Sequence, residues 1–167
     1  MNRLYLLRHA KAGWALPGTS DFDRPLDASG IADAATLGAA MRAASHVPDL
    51  TLCSNARRAR ETLEGLAAYA DTGRVVFSDA LYSEDAAGYL AIIRENGARG
   101  SLLVVGHNPM MEDLAMAIAS GGDEKAQAAL KSGFPTSGLA VVRFNGSLGE
   151  AAPGTGYLEA FLSPADM

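Results

Sequence analysis

Residues 4–12 read LYLLRHAKA, and the change of character half-way along this stretch decides the fold. Leu4–Leu7 is an apolar run that includes the β-former Tyr5, so it reads as a short strand buried on both faces. It stops abruptly at Arg8-His9, with Ala10 and Lys11 just beyond. A buried strand that delivers a guanidinium and an imidazole at its carboxyl end fits an α/β sheet, where ligands bind outside the carboxyl ends of the strands.

A second stretch repeats the pattern. Ser101–Val105, SLLVV, is strongly apolar and ends in Gly106-His107-Asn108-Pro109. If the two strands are parallel neighbours, His9 and His107 leave the sheet at the same edge. Taken singly, either histidine is as well explained as a loop residue or a structural hydrogen-bonder; two in the same setting point to a site.

Between and beyond these strands the pattern alternates. Gly13–Ser29 holds two prolines, two glycines and three aspartates and reads as loop, with Ser29 as the cap of a helix running to Ala44. Ile31, Leu37 and Met41 mark its inner side. Leu50–Cys53 follows as a strand, Ala56–Ala70 as a helix with Leu63, Leu66 and Tyr69 inward, and Arg74–Ser78 as a strand. Asp85–Asn96 is a helix with Tyr89, Ile92 and Ile93 inward. Met110–Ala119 and Asp123–Lys131 are two more helices. Strands Leu139–Asn145 and Tyr157–Leu162 close the chain around Gly146–Gly156, expected to be a mobile hairpin loop. Strands alternating with helices predict an α/β three-layer sandwich with a mostly parallel central sheet. The last two strands, with no helix between them, predict an antiparallel edge.

The composition narrows the class. A chain of 167 residues, 49% apolar and 20% charged, is expected to be a single globular domain over 1–167. A net charge of −5 argues against nucleic acid as a partner, since phosphate backbones are bound by broad basic surfaces. The one cysteine, Cys53, allows no internal disulfide. The N-terminal apolar run is too short for a signal-peptide core and no segment approaches a membrane span, so a cytoplasmic protein away from membranes is expected.

The third chemical element is SNARRARET, Ser54–Thr62, which follows a strand and opens a helix. Arginines in a first helical turn, beside free backbone N–H groups and the positive end of the dipole, form an anion site. They can equally form a solvated face paired with Glu61 and Glu64, which suits Arg57 and Arg60. Cys53 invites a tyrosine-phosphatase reading, but that chemistry needs C-x5-R and the required position holds Ala59. Cys53 therefore reads as a buried strand residue. Trp14 and Lys11 either line a pocket rim or simply pack, and His46 reads as surface.

Taken together, these motifs resemble the histidine phosphatase superfamily, which has the phosphoglycerate mutase-like fold. R-H-[GA] matches Arg8-His9-Ala10, S-x-x-x-R-A-x-x-T matches Ser54, Arg58, Ala59 and Thr62, and G-H matches Gly106-His107. The short length, R-H-A-K, Asp23-Arg24-Pro25-Leu26 and G-H-N-P resemble the SixA-type phosphohistidine phosphatases within it. The resemblance implies that His9 is a nucleophile forming a covalent phosphohistidine and that His107 bonds the phosphoryl oxygens. It implies Arg8 and Arg58 as their clamp, with Arg24 as a further substrate-binding arginine. No metal or other cofactor is implied, because guanidinium groups neutralise the phosphoryl charge.

Many superfamily members add a carboxylate that acts as general acid for an alcohol leaving group. Glu84 is the only good candidate here, and a carboxylate at a helix N-terminus is the alternative reading for it. The expected partner is a protein carrying phosphohistidine or a small phosphoester. A phosphate-binding module without turnover is the non-enzyme alternative. The absence of a long lid insertion suggests an open, shallow pocket.

Overall fold

The structure is a computed structural model that describes residues 2–167. Its frame is a seven-stranded sheet formed by β1 (Asn2–Arg8), β2 (Leu50–Ser54), β3 (Arg74–Ser78), β4 (Leu102–Gly106), β5 (Ala119–Gly122), β6 (Leu139–Phe144) and β7 (Gly156–Leu162). The strand order is β3-β2-β4-β1-β6-β7-β5. β1, β2, β3 and β4 are mutually parallel, while β6 runs antiparallel to both β1 and β7. The expected antiparallel pairing of the last two strands is therefore present on that side of the sheet. The outermost position there is taken by β5, parallel to β7. Its sequence, ASGG, has no β-forming residue, and the helix predicted over Met110–Ala119 ends at Ile118 instead.

The helices are α1 (Ala28–Ala43), α2 (Arg57–Ala67), α3 (Ala80–Ser83), α4 (Ala86–Asn96), α5 (Met110–Ile118) and α6 (Glu124–Lys131). Period-two alternation in β1 sends Leu4 and Leu6 to one face and Tyr5 and Leu7 to the other. The first pair packs with Tyr89 and Ile93 of α4, Met111 and Leu114 of α5, and Leu130 of α6. The second packs with Leu37 and Met41 of α1 and Leu63 and Leu66 of α2. Helices on both faces make this a three-layer α/β sandwich, as the strand–helix alternation predicts.

Several local expectations are corrected. Asp27, not Ser29, caps α1: its carboxylate accepts the Gly30 N–H at 2.8 Å, and the Ser29 hydroxyl donates to it at 2.7 Å. Ile31 is 58% exposed, because α1 buries Ala34, Leu37, Gly38 and Met41 instead. The small residues on that face let the helix approach closely. A Cβ on Gly30 would lie 2.2 Å from the Lys11 carbonyl oxygen. α2 stops at Ala67 and leaves Tyr69 exposed. The 146–156 connection is not a free loop: Ser147 caps a short 3-10 turn, and Leu148 and Ala151 are buried in the core.

Candidate active site

β1 and β4 are hydrogen-bonded neighbours with Arg8 opposite Gly106. His9 and His107 are therefore the first residues past the paired ends of two parallel strands. Their ring centroids lie 5.1 Å apart, about one strand spacing, and both side chains are buried. The His9 N–H donates to the Gly106 carbonyl at 3.0 Å, which fixes the level of the two residues.

Each ring has one nitrogen held by a neighbour. Nδ1 of His9 lies 2.7 Å from the Ala10 carbonyl, which can only accept, so Nδ1 carries the proton and Nε2 presents a lone pair. The Ser54 hydroxyl accepts the Ala56 N–H at 3.2 Å and stands 2.8 Å from Nε2 of His107. Nε2 of His107 is thus taken by Ser54, while Nδ1 is buried and has no partner among the described residues. Burial pushes the His9 imidazolium down to about 4, helped by Arg58, Arg8 and Arg24 and opposed by the Ala10 bond. Burial likewise takes His107 to about 3, with His9 and Arg58 adding to the effect. Both rings are neutral at neutral pH.

The motif residues around them have definite jobs. Thr62 accepts the Ala10 N–H at 2.9 Å and donates to the Arg58 carbonyl at 2.7 Å, so α2 is tied to the turn after β1. Gly106 is required by a close approach: a Cβ there would lie 2.7 Å from the Tyr89 hydroxyl. That hydroxyl accepts the His107 N–H at 3.2 Å and donates to the Leu81 carbonyl. Ala10 is fully buried against Leu26 and Ala34.

The arginines complete the cluster. The buried Arg58 donates from Nε to Nε2 of His9 at 3.3 Å. Arg8 donates from Nη1 to the Phe134 carbonyl at 2.9 Å, and its Nε is buried without a partner. The Phe134 carbonyl also takes Asn108, and the Phe134 N–H is held by Glu112 at 2.8 Å. Arg57 pairs with Glu61 at 3.2 Å on an exposed face, and Arg60 lies over the Phe77 ring of β3 at 4.0 Å. Cys53 is a buried strand residue, as read. His46 is partly buried against Tyr5.

Among the described residues Arg24 bonds to the cluster through Asp21, a residue no sequence motif marks. The Asp21 carboxylate accepts from Nη1 of Arg24 at 3.0 Å, Nη2 of Arg58 at 3.1 Å and the Tyr82 hydroxyl at 2.7 Å. These partners, Tyr82 and Arg24 foremost, hold it down to about 2. Phe22 stacks edge-on against Tyr82, and Tyr82 against His107. These contacts gather Asp21, Phe22 and Tyr82 beside Arg58 and His107. The only local signal was Asp21 standing three positions before Arg24. Glu84 stays outside. It is exposed, ends α3, and turns its carboxylate over Gly88 in the first turn of α4. Among the described residues no hydrogen bond links it to either histidine.

Two neutral imidazoles in a frame of guanidinium groups can present a lone pair, that of His9 Nε2, beside a bound anion. Comparison with known proteins places the chain in a family. The family profile of the histidine phosphatase superfamily (branch 1) matches residues 4–82. An uncharacterized protein of Mycobacterium tuberculosis is 38% identical over 166 residues, covering 95% of this chain and 99% of its own. The crystal structure of a protein provisionally designated phosphohistidine phosphatase SixA, from Agrobacterium tumefaciens, is 39% identical with a TM-score of 0.82, covering 98% of this chain and 99% of that one. A similarly designated protein from Nakamurella is 28% identical with a TM-score of 0.83, covering 98% and 96%. The chain belongs to the histidine phosphatase superfamily, in its SixA-type group.

Proposed function

We propose that this protein is a phosphatase that works through a covalent phosphohistidine on His9 and removes phosphate from phosphohistidine in a phosphotransfer protein. The observation that carries this reading is the pair of ring nitrogens at one strand edge: an unprotonated Nε2 on His9 and a buried Nδ1 on His107 with no partner among the described residues. In the first step Nε2 of His9 forms a bond to phosphorus while the bond from phosphorus to the substrate's nitrogen breaks. The electron pair leaves with that nitrogen. Arg8, Arg58 and the His107 N–H take up the charge on the equatorial oxygens, and Arg24 binds the substrate's phosphoryl group as Asp21 releases it. In the second step water attacks phosphorus, the Nε2–P bond breaks with its electron pair returning to Nε2, and both water protons leave with the phosphate. Neutral His9 is restored.

The substrate class follows from the leaving group. A phosphorylated imidazole that carries a proton on its other nitrogen departs as neutral imidazole and needs no acid. An alkoxide does need one. Asp21 is held ionised and Glu84 is exposed, so neither favours the ester reaction. Arg8, Arg58 and Arg24 supply the positive charge that a metal ion would otherwise bring to the phosphoryl group.

The test is turnover measured side by side on a phosphohistidine protein, a phosphohistidine peptide and small phosphoesters, with and without EDTA. The expected result is fastest turnover of the protein, unaffected by chelator, with acid-labile, alkali-stable phosphorus label trapped on His9. Faster turnover of small esters would move the assignment to a small-molecule phosphatase. Anion binding without turnover would make it a binding module. Wild-type activity in His9→Ala would end the covalent mechanism.

A further inference from the structure

The 3-10 turn Asp21–Asp23 brings a carboxylate to a place where the reaction needs a phosphoryl group. Arg58 gives Nη1 to the Asp21 carbonyl at 2.7 Å and Nη2 to its carboxylate at 3.1 Å. Arg24 gives Nη1 to the other carboxylate oxygen at 3.0 Å. One internal anion thus engages two guanidinium groups that share the cluster with His9. In the same cluster Nδ1 of His107 and Nε of Arg8 are buried with no partner at all. The donors divide into a set satisfied by Asp21 and a set left waiting. A single tetrahedral anion, with several acceptor oxygens, can serve both.

We propose that Asp21 is a built-in occupant of the arginine clamp: an incoming phosphoryl group displaces its carboxylate from Arg58 and Arg24, and Asp21 thereby selects for dianions. The inference rests on the phosphatase reading only for the identity of the anion. Displacement is feasible because the Asp21 side chain is 52% exposed, and an ion pair with a half-exposed member is weak. A dianion also offers the guanidinium groups more charge and more acceptors than one carboxylate does. A monoanion offers no more than Asp21 already supplies, so it gains nothing by the exchange.

The closed arrangement costs affinity in proportion to how rarely it opens, because apparent affinity scales with the population able to bind. Removing the occupant returns that factor. The neighbouring Asp23 is a control in the same turn: it is exposed, and its carboxylate takes only the Ser20 hydroxyl, at 2.8 Å.

Calorimetric titration with tungstate, a tetrahedral dianion that needs no turnover, reads the effect in wild type, Asp21→Asn, Asp21→Ser and Asp23→Asn. Both Asp21 variants are expected to bind about tenfold more tightly, and Asp23→Asn within twofold of wild type. Equal tightening by all three would reduce Asp21 to a repulsive surface charge and overturn the proposal. Unchanged or weaker binding in both Asp21 variants would overturn it too, since Asp21 would then be holding the arginines in place for the ligand. Because binding is read without catalysis, tighter binding in a protein that turns over none of the phosphorylated substrates would leave this inference standing and remove the proposed function.

Discussion

His9 and His107 stand on adjacent parallel strands, at a level set by backbone hydrogen bonds, and each ring is oriented by one short bond to a neighbour. Asp21 stands on a turn that buries none of its own residues and is held by side chains from α2, α3 and its own loop. Moving a histidine would require breaking the sheet. Moving Asp21 requires exchanging a few polar contacts for others of the same kind. The difference divides the site in two: the ring nitrogens are fixed by the fold, and the carboxylate beside them is exchangeable. Arg58 belongs to both regions, since it touches His9 Nε2 and Asp21 at once.

The largest effect is therefore expected at Arg58. Loss of a charge-assisted donor in a buried site costs on the order of 3 kcal/mol, so Arg58→Ala should slow turnover by roughly a hundredfold or more. Arg57→Ala, on the exposed face with Glu61, should stay within about twofold. Steady-state rates on the same phosphorylated substrate check both. Equal losses would mean that the two regions are not joined where this structure joins them.

Acid should separate the regions next. The folded values of about 4 for His9 and about 3 for His107 lie below the ordinary 6.5. Between those limits the unfolded chain holds protons that the folded protein refuses, so stability rises with pH there. The contribution is complete above pH 6.5 and is lost as pH falls toward the folded values. Two such groups give a slope approaching ~3 kcal/mol per pH unit near pH 5. Asp21, depressed from 3.8 to about 2, contributes only below that window. Denaturant titrations at several pH values should show this slope, and His107→Asn should remove about half of it. A flat profile between pH 4.5 and 6, on the order of one pH unit wide, would mean that the pair is not buried neutral.

What could be read in the sequence follows the same division. An apolar run ending in Arg8-His9, and another ending in Gly106-His107, are local signals, so the pairing and the rings' common edge were legible. Ser54 and Thr62 were visible as motif positions, while their bonds to His107 and to the Ala10 N–H come from folding. Asp21 was not legible. Its partners Arg58 and Tyr82 lie 37 and 61 positions away, and an aspartate in a Gly- and Pro-containing loop needs no explanation. β5 was missed because Ala-Ser-Gly-Gly carries no strand signal and is recruited by β7. The 146–156 connection looked free because two buried residues, Leu148 and Ala151, were outnumbered by glycines.

The smallest effect is expected at Glu84, and it sharpens the comparison by testing whether the exposed rim takes part in chemistry at all. If Glu84 is no acid, Glu84→Gln should leave phosphohistidine hydrolysis within about twofold of wild type. Esters with poor alkoxide leaving groups should then be weak substrates for both proteins, while an activated aryl ester is affected little. If Glu84 does donate a proton, the mutant should lose about two to four orders of magnitude on alkyl esters and little on aryl ones. One leaving-group series reads both outcomes. The position of Glu84, exposed and turned onto the first turn of α4, favours the silent result. A large loss that grows with leaving-group basicity would bring the rim into the catalytic machinery and move the substrate class to small phosphoesters.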